Sequence, residues 1–214
     1  MPSLLIAGAT GLVGRECLAL ALADPAFERV VVIARKPASG VASPKLDWRV
    51  ADFRQLEMQR SAFEVDAILC ALGTTIKVAG SQERFREVDH DYPLALARMG
   101  LAAGARHCLL VSALGADATS RIFYNRVKGE TERDILALGF PRITIARPSL
   151  LLGEREEFRL GERVAQLFAW AVPGKYRPIE ARVVAKALID AARGGGEGRR
   201  VLESSEMRGR GARG

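Results

Sequence analysis

Three residues in the middle of the sequence have the types and spacing needed to move a proton to or from a substrate oxygen. Tyr124 and Lys128 lie four residues apart in a stretch that predicts a helix over about 120–138, so their side chains share one helix face. A tyrosine alone is a poor acid or base near neutral pH because its reference pKa is about 10, but a lysine one turn away favours the phenolate. Ser112, at the end of an apolar run upstream, would hold a substrate carbonyl or hydroxyl against the tyrosine. The three residues predict a site for general acid–base catalysis; an ordinary pair on a helix surface is the alternative for Tyr124 and Lys128.

A glycine-rich turn near the start of the chain predicts a binding site for a diphosphate. Residues 8–14 read Gly-Ala-Thr-Gly-Leu-Val-Gly, between an apolar run typical of a buried strand and a stretch typical of a helix. Glycines at such a turn permit a tight bend, a close approach of the backbone to a pyrophosphate and close packing of the helix on the sheet. The N–H groups at the start of the helix then favour an anion. The spacing differs from the common G-x-G-x-x-G, and a tight turn that binds nothing is the alternative.

Two cations follow the second predicted strand, residues 29–34. They are Arg35 and Lys36, and no acidic residue lies between Val30 and Val41. In a nucleotide-binding sheet, an acid at this position would bond to a ribose 2′-hydroxyl, whereas an arginine accommodates a 2′-phosphate. The pair therefore favours NADP over NAD, with two solvated loop cations as the alternative.

The order of the predicted elements indicates the fold class. Strands are predicted at 4–7, 29–34, 46–50, 65–71, 107–112 and 142–146, and helices over about 15–23, 82–103 (with a kink at Pro93), 120–138 and 181–193. This alternation predicts an α/β fold with a doubly wound parallel sheet and helices on both of its faces. We expect one domain over 1–203 with a small C-terminal cap on the substrate side at about 149–180. A flexible basic tail is expected over 204–214.

Composition narrows the class of protein further. The chain has 214 residues, is 49% apolar and 27% charged, and carries a net charge of +7. It has no apolar run of the roughly 18 residues that a membrane span needs, and its first residues lead straight into a strand. We therefore expect a cytoplasmic protein with no membrane partner. The three cysteines and two histidines lack the spacing of a metal site. Nucleic acid is not an expected partner, although contact through the basic tail is a weak alternative.

Together these residues resemble the short-chain dehydrogenase/reductase superfamily, in particular its atypical, NAD(P)-binding members. The resemblance rests on residues 8–14, on Ser112 at a strand end, and on residues 124–128, which read Tyr-Asn-Arg-Val-Lys. Residues 72–75, 85–89, 111–116 and 147–153 are similar to a group that includes TIP-thirty-like oxidoreductases and bacterial semialdehyde-dehydrogenase-like proteins. The resemblance covers the chain to about residue 204 and implies a Rossmann fold of the dehydrogenase/reductase type.

The resemblance also implies roles for individual residues. Tyr124 would be the acid or base, with Ser112 and Lys128 as its catalytic partners. Asp89 stands where many reductases have an asparagine that relays a proton. The cofactor NADP(H) would be held at its diphosphate by Gly8, Thr10, Gly11, Leu12 and Val13, at its 2′-phosphate by Arg35 and Lys36, at its adenine by Asp52 and Phe53, at its ribose by Ala71, Leu72 and Gly73, at its nicotinamide ribose by Lys128, and at its carboxamide by Pro148.

We therefore expect an oxidoreductase that uses NADP(H) to reduce a small carbonyl substrate by hydride transfer, with Tyr124 as the general acid. The alternative is a redox-silent NADP(H)-binding module that regulates a contact with another protein, since charged residues crowd between 154 and 162. A monomer or a homodimer is expected.

Overall fold

The computed structural model describes residues 2–37, 40–152 and 176–211. Within them, a seven-stranded parallel sheet has the order β3-β2-β1-β4-β5-β6-β9. Its strands are β1 (Ser3–Ala7), β2 (Arg29–Ala34), β3 (Leu46–Val50), β4 (Ala67–Cys70), β5 (His107–Val111), β6 (Arg142–Arg147) and β9 (Gly198–Glu203). Two short strands, β7 (Leu151–Leu152) and β8 (Ile179–Glu180), pair separately. The doubly wound α/β fold predicted from the sequence is confirmed.

Helices cover both faces of the sheet. They are α1 (Leu12–Ala23), a 3₁₀ segment (Leu56–Phe63), α2 (Ile76–Ala79), α3 (Gln82–Arg86), a π-helical turn (Glu87–Asp91), α4 (Tyr92–Ala102), α5 (Phe123–Ala137), α6 (Ala181–Arg193) and α7 (Ser204–Gly211). Helices α1 and α6 belong to the apolar core on one face, and α4, α5 and the 3₁₀ segment to the core on the other. Strands β4 and β5 are buried along their whole length, as expected for central parallel strands, whereas β3 lies at an edge and is partly exposed.

The long helix predicted over about 82–103 contains a π-helical turn between α3 and α4. Arg86, Glu87, Asp91 and Tyr92 all have α-helical backbone angles, so the chain stays helical through this turn. Pro93 lies in the first turn of α4 and has no N–H to donate to a helical carbonyl. The irregularity that the sequence predicts at Pro93 is therefore a π-helical turn immediately before the proline.

The C-terminal stretch is more ordered than the sequence indicates. The prediction of a flexible tail from residue 204 is wrong for its described part, because α7 packs there. Met207 is fully buried in the same core as α6, and Arg208 donates a hydrogen bond to the carbonyl of Arg177 at 2.6 Å. Most of the predicted cap, residues 153–175, lies outside the described residues, and so do residues 212–214 of the tail. The boundaries of the single domain and of its cap remain a prediction.

No helix in the described ranges is both long and apolar enough to cross a membrane. In the same part of the chain, no cluster of three or more histidine, cysteine, aspartate or glutamate side chains could hold a metal ion. The three cysteines are buried thiols.

Candidate functional site

The glycine turn between β1 and α1 brings backbone segments so close together that a Cβ has no room at two of its glycines. Gly8 has a φ of +89°, and a Cβ on it would lie 2.5 Å from the carbonyl oxygen of Ala71. A Cβ on Gly14 would lie 2.0 Å from the carbonyl oxygen of Gly8. Gly11 closes the turn by donating its N–H to that same oxygen at 2.9 Å. The turn therefore requires glycine at residues 8 and 14, and it leads directly from the carboxyl end of β1 into a helix.

The start of α1 offers backbone donors to an anion. Among the described residues, no side chain caps this helix, and its first turn carries no acidic residue. The first N–H groups of a helix have no partner within it, and the positive end of the helix dipole favours negative charge there. Thr10 is exposed, and the side chain of Val13 is buried in the core. The turn therefore presents backbone N–H donors and the positive end of a helix dipole, the features that suit an anionic group such as a diphosphate.

A cavity of about 460 Å³ opens where β2 and β3 end. Its lining includes Arg35, Asp52 and Phe53, three residues that the sequence assigned to the adenosine half of a cofactor. Phe53 is buried and stacks on Tyr92 with ring centroids 5.4 Å apart. Lys36 is exposed beside this cavity, and its carbonyl accepts a hydrogen bond from Trp48 Nε1 at 2.9 Å. The structure thus brings a cation, a carboxylate and an aromatic wall together at the predicted place.

The residues after β4 connect the glycine turn to α5. Ala71 extends the pairing of β4 with β1 by donating its N–H to Ala7 at 2.8 Å. Leu72 is partly buried, and Gly73 is exposed. A Cβ on Gly73 would lie 3.6 Å from Asp89 Oδ1 and 3.9 Å from Lys128 Nζ. This segment therefore lies between the predicted diphosphate site and the charged groups described next.

A buried ion pair lies beside the predicted catalytic tyrosine. Lys128 Nζ is 2.8 Å from Asp89 Oδ1, and the two side chains are only 7% and 0% exposed. Asp89 Oδ2 accepts the backbone N–H of Thr74 at 2.9 Å. Burial is the largest influence on the pKa of Lys128 and lowers it, but the charge of Asp89, the electrostatic influence of Tyr124 and the hydrogen bond to Asp89 together outweigh burial, so the pKa is raised overall. Lys128 is therefore held as an ammonium ion next to Tyr124.

Tyr124 itself is half-buried, one helical turn before Lys128 on α5. Its ring packs against the fully buried ring of Phe85 with centroids 5.5 Å apart. Tyr124 and Lys128 are one helical turn apart on α5, which places their side chains on the same helix face. This proximity accounts for the electrostatic influence of Tyr124 on the pKa of Lys128.

The π-helical turn positions Asp89. A π turn leaves backbone groups without their usual helical partners and is frequent at functional sites. Here the carbonyl of Asp89 accepts the hydroxyl of Thr131 at 2.9 Å, and the same hydroxyl also reaches the carbonyl of Val127 at 2.8 Å. The turn is thereby fixed to α5, and Asp89 is directed at Lys128.

Ser112 lies at the end of β5 as predicted, but its hydroxyl is already engaged. It donates a hydrogen bond to Glu132, which is buried on α5 and accepts two hydrogen bonds to Oε2 and one to Oε1 from the guanidinium of Arg147, the shortest at 2.5 Å. Because the hydrogen points at Glu132, only the lone pairs of the Ser112 oxygen remain for another partner. Pro148 is buried next to Arg147, and its carbonyl accepts the N–H of Leu114 at 2.9 Å.

Sequence reasoning missed Glu132 and Arg147. The available signal was the spacing on α5, since Glu132 follows Lys128 by four residues, as Lys128 follows Tyr124. One face of α5 therefore carries a phenol, an ammonium and a carboxylate in succession.

Known proteins are similar in sequence to this protein over most of the chain. The profile of a family described as NAD(P)H-binding matches residues 8–193. Protein FMP52, mitochondrial, of Candida albicans is 37% identical over 203 residues, which cover 90% of this chain and 89% of that protein. Protein HTATIP2 of Rattus norvegicus is 36% identical over 177 residues, which cover 81% of this chain and 73% of that protein.

Solved structures share the fold. MoeE5 in complex with UDP-glucose and NAD superposes with a TM-score of 0.71 at 16% identity, covering 94% of this chain and 75% of that one. The UDP-glucose 4-epimerase of Thermotoga maritima, solved with UDP-glucose, has a TM-score of 0.71 at 14% identity and covers 94% and 76% of the two chains.

The relatives correct one expectation and confirm another. The cytoplasmic location expected from the sequence is wrong by this comparison, because FMP52 proteins of several fungi are named mitochondrial. A start that leads directly into a strand was therefore a poor guide to location. By contrast, the matched profile spans both residues 8–14 and residues 124–128, and the chain belongs to the NAD(P)H-binding family, among the atypical short-chain dehydrogenase/reductases.

Proposed function

We propose that this protein is an NADP(H)-dependent oxidoreductase that reduces a small carbonyl compound, with Tyr124 as the general acid. The observation that carries the proposal is the buried pair of Lys128 and Asp89 beside Tyr124, at the sheet edge where the glycine turn also lies. Burying two charges is unfavourable unless they are paired, and buried titratable groups with a specific charge partner are concentrated at functional sites.

Binding of the cofactor is distributed along the carboxyl edge of the sheet. The backbone of Gly8, Thr10, Gly11, Leu12 and Val13 holds the diphosphate, and Arg35 and Lys36 face the 2′-phosphate. Asp52 and Phe53 border the adenine, while Ala71, Leu72 and Gly73 cover the ribose and Pro148 borders the carboxamide. This placement rests on the cavity that Arg35, Asp52 and Phe53 line and on the donors at the start of α1.

The groups that carry out proton transfer, Tyr124 and Lys128, both lie on α5. When bound, the reduced cofactor supplies a hydride to the carbonyl carbon. Tyr124 gives its hydroxyl proton to the carbonyl oxygen as negative charge develops there, and the ammonium of Lys128 stabilises the phenolate that remains. Asp89 keeps Lys128 in place and charged.

Ser112 acts as a hydrogen-bond acceptor rather than as a donor to the substrate. Its hydrogen is directed to Glu132, so its oxygen can accept a hydrogen bond from Tyr124 or from a hydroxyl of the product alcohol. The buried Glu132–Arg147 pair fixes this orientation.

A screen of aldehydes, ketones and quinones, followed by NADPH oxidation, tests the proposal. We expect at least one carbonyl class to be reduced, and Tyr124→Phe to lower kcat by about 10² to 10⁴, the usual contribution of a positioned acid. NADPH affinity should be the same for both proteins, because the lost hydroxyl does not hold the cofactor.

Two results would count against the proposal. Unchanged turnover in Tyr124→Phe removes the tyrosine from its role. NADPH binding without turnover of any carbonyl class instead favours the redox-silent regulatory module.

A further inference from the structure

The cavity at the ends of β2 and β3 contains more positive charge than the sequence motifs indicate. Besides Arg35, its lining includes Arg54, which follows β3, and Arg84, on α3. The three arginines come from separate elements that meet only in the folded chain. Arg35 is exposed and has no carboxylate partner among the described residues.

A single carboxylate, that of Glu87 in the π-helical turn, orders the other two arginines. Arg54 Nε lies 2.7 Å from Glu87 Oε1, and Arg84 forms a second ion pair with Glu87 Oε2. Hydrogen bonds from Arg54 and from the hydroxyl of Tyr92 lower the pKa of Glu87 to about 2, so it is charged at any physiological pH. The two side chains are 57% and 53% exposed, so the shared carboxylate directs each guanidinium towards the cavity without burying it.

The same carboxylate is connected to the aromatic wall of the cavity. Tyr92 donates its hydroxyl to Glu87 Oε1 at 2.8 Å, and its ring stacks on Phe53. Glu87 thus joins an apolar face suited to a purine with a cationic rim suited to a phosphate. Three arginines face two carboxylates, those of Asp52 and Glu87, so the cavity retains net positive charge.

We propose that Arg54 and Arg84, positioned by Glu87, complete with Arg35 a recognition site for a phosphate monoester on the adenosine ribose, and that this set determines the preference of the protein for NADP(H) over NAD(H). The inference rests on the proposed cofactor and extends it to residues that no motif contains. Arginine suits this task because its planar fork can donate two hydrogen bonds to one phosphate. Ordering the side chains beforehand reduces the entropy lost on binding.

Calorimetric titration with two probes isolates the phosphate from the rest of the cofactor. Adenosine 2′,5′-bisphosphate and adenosine 5′-monophosphate differ only in the 2′-phosphate, and neither requires turnover. The variants are Arg54→Gln, Arg84→Gln and Glu87→Gln. Arg98→Gln is the matched control, because Arg98 is an exposed arginine that lines a neighbouring cavity sharing Phe53 and Arg54 with this one.

We expect the wild-type protein to prefer the bisphosphate. Arg54→Gln and Arg84→Gln should each weaken bisphosphate binding by about tenfold, the usual effect of losing a charge-assisted hydrogen bond, and change monophosphate binding by less than about twofold. Glu87→Gln should also weaken bisphosphate binding at 0.15 M salt, because both arginines lose their anchor. Arg98→Gln should match the wild type. Equal melting temperatures confirm that all variants fold.

Three outcomes would overturn the inference. In the first, only Arg35→Gln lowers the preference, which leaves NADP(H) as the cofactor but removes Arg54 and Arg84 from its recognition. In the second, Glu87→Gln strengthens bisphosphate binding, which makes Glu87 a counter-charge and not a positioning residue. In the third, the wild type binds both probes equally, which also removes the NADP preference but leaves the Tyr124→Phe experiment able to support carbonyl reduction.

Discussion

The two edges of the parallel sheet treat buried titratable groups in opposite ways. At the carboxyl edge, Lys128 and Asp89 are buried as a charged pair with 2.8 Å between their atoms. At the amino edge, His107 at the start of β5 is buried with Nε2 2.9 Å from the hydroxyl of Thr144, and burial lowers its pKa to about 3, so it is neutral. The Lys128–Asp89 pair keeps its charges although burial imposes a desolvation penalty on them, whereas His107 avoids that penalty by staying neutral.

This difference indicates which buried group serves the stability of the fold and which serves the proposed chemistry. A buried ion pair is often no more stabilising than apolar residues of the same volume, so its presence calls for another reason. At the carboxyl edge that reason is the proposed proton transfer at Tyr124. At the amino edge, where ligands do not bind in such folds, a neutral imidazole that completes the core is sufficient.

Breaking the charged pair should have the largest effect on stability. Asp89→Ala leaves the ammonium of Lys128 buried without a partner, and we expect a loss of about 3 to 5 kcal/mol in the free energy of unfolding, measured in urea. Asp91→Ala, in the same π-helical turn but with a side chain that is 55% exposed, is the control and should lose less than about 1 kcal/mol. Equal losses in the two variants would show that the carboxyl edge does not retain charge at a cost.

The glycine turn should be the next most sensitive place. Gly8→Ala forces a side chain into φ +89° and within 2.5 Å of the carbonyl oxygen of Ala71, so we expect weaker NADPH binding and a loss of stability. Gly80→Ala is the matched control, since Gly80 has a φ of +83° with no atom within 4 Å of the added Cβ. The control should lose about 1 to 2 kcal/mol from backbone strain alone, and Gly8→Ala about 1 to 3 kcal/mol more from the clash. Similar losses would mean that the close approach to β4 can relax.

His107 should make the stability depend on acid. The unfolded chain binds a proton at this residue near pH 6.5, whereas the folded chain does not until about pH 3, so stability falls as the pH drops below about 6.5. The slope attributable to His107 rises from about 1.0 kcal/mol per pH unit at pH 6 towards about 1.4 kcal/mol per pH unit near pH 5. We expect His107→Gln to lose this slope in urea unfolding curves recorded at each pH. An unchanged slope would mean that His107 is protonated in the folded protein.

The smallest effect should come from an exposed pair at the amino edge. Arg106 and Glu197 lie 3.2 Å apart, but their side chains are 71% and 73% exposed. Arg106→Ala should change the free energy of unfolding by less than about 0.5 kcal/mol, because water and salt screen such pairs. A loss comparable to that of Asp89→Ala would remove the contrast between buried and exposed charge.

Local sequence signals were enough for the elements that carry strong periodicity or special backbone needs. The apolar runs of β1, β2, β4 and β5 predict buried parallel strands, and the glycines at residues 8 and 14 predict a turn in which a Cβ has no room. The four-residue spacing of Tyr124 and Lys128 likewise predicts their shared helix face.

The remaining features depend on partners that are distant in sequence. Glu87 accepts a hydrogen bond from Arg54, which is 33 residues away in the sequence, and Glu132 accepts one from Ser112, which is 20 residues away. No local pattern encodes such pairs, since each residue alone is typical of a solvated surface. Helix α7 was missed for a similar reason: one apolar side chain, Met207, anchors it in a stretch of glycine and charged residues.

A crystal structure of the protein grown with NADPH tests the central proposal most directly. We expect the diphosphate to lie about 3 Å from the backbone N–H groups of residues 10–13, with the nicotinamide beside Tyr124 and the 2′-phosphate among Arg35, Arg54 and Arg84. A nicotinamide bound away from α5, or a diphosphate bound elsewhere than at the glycine turn, would contradict the assignment of Tyr124 as the acid of a hydride-transfer site.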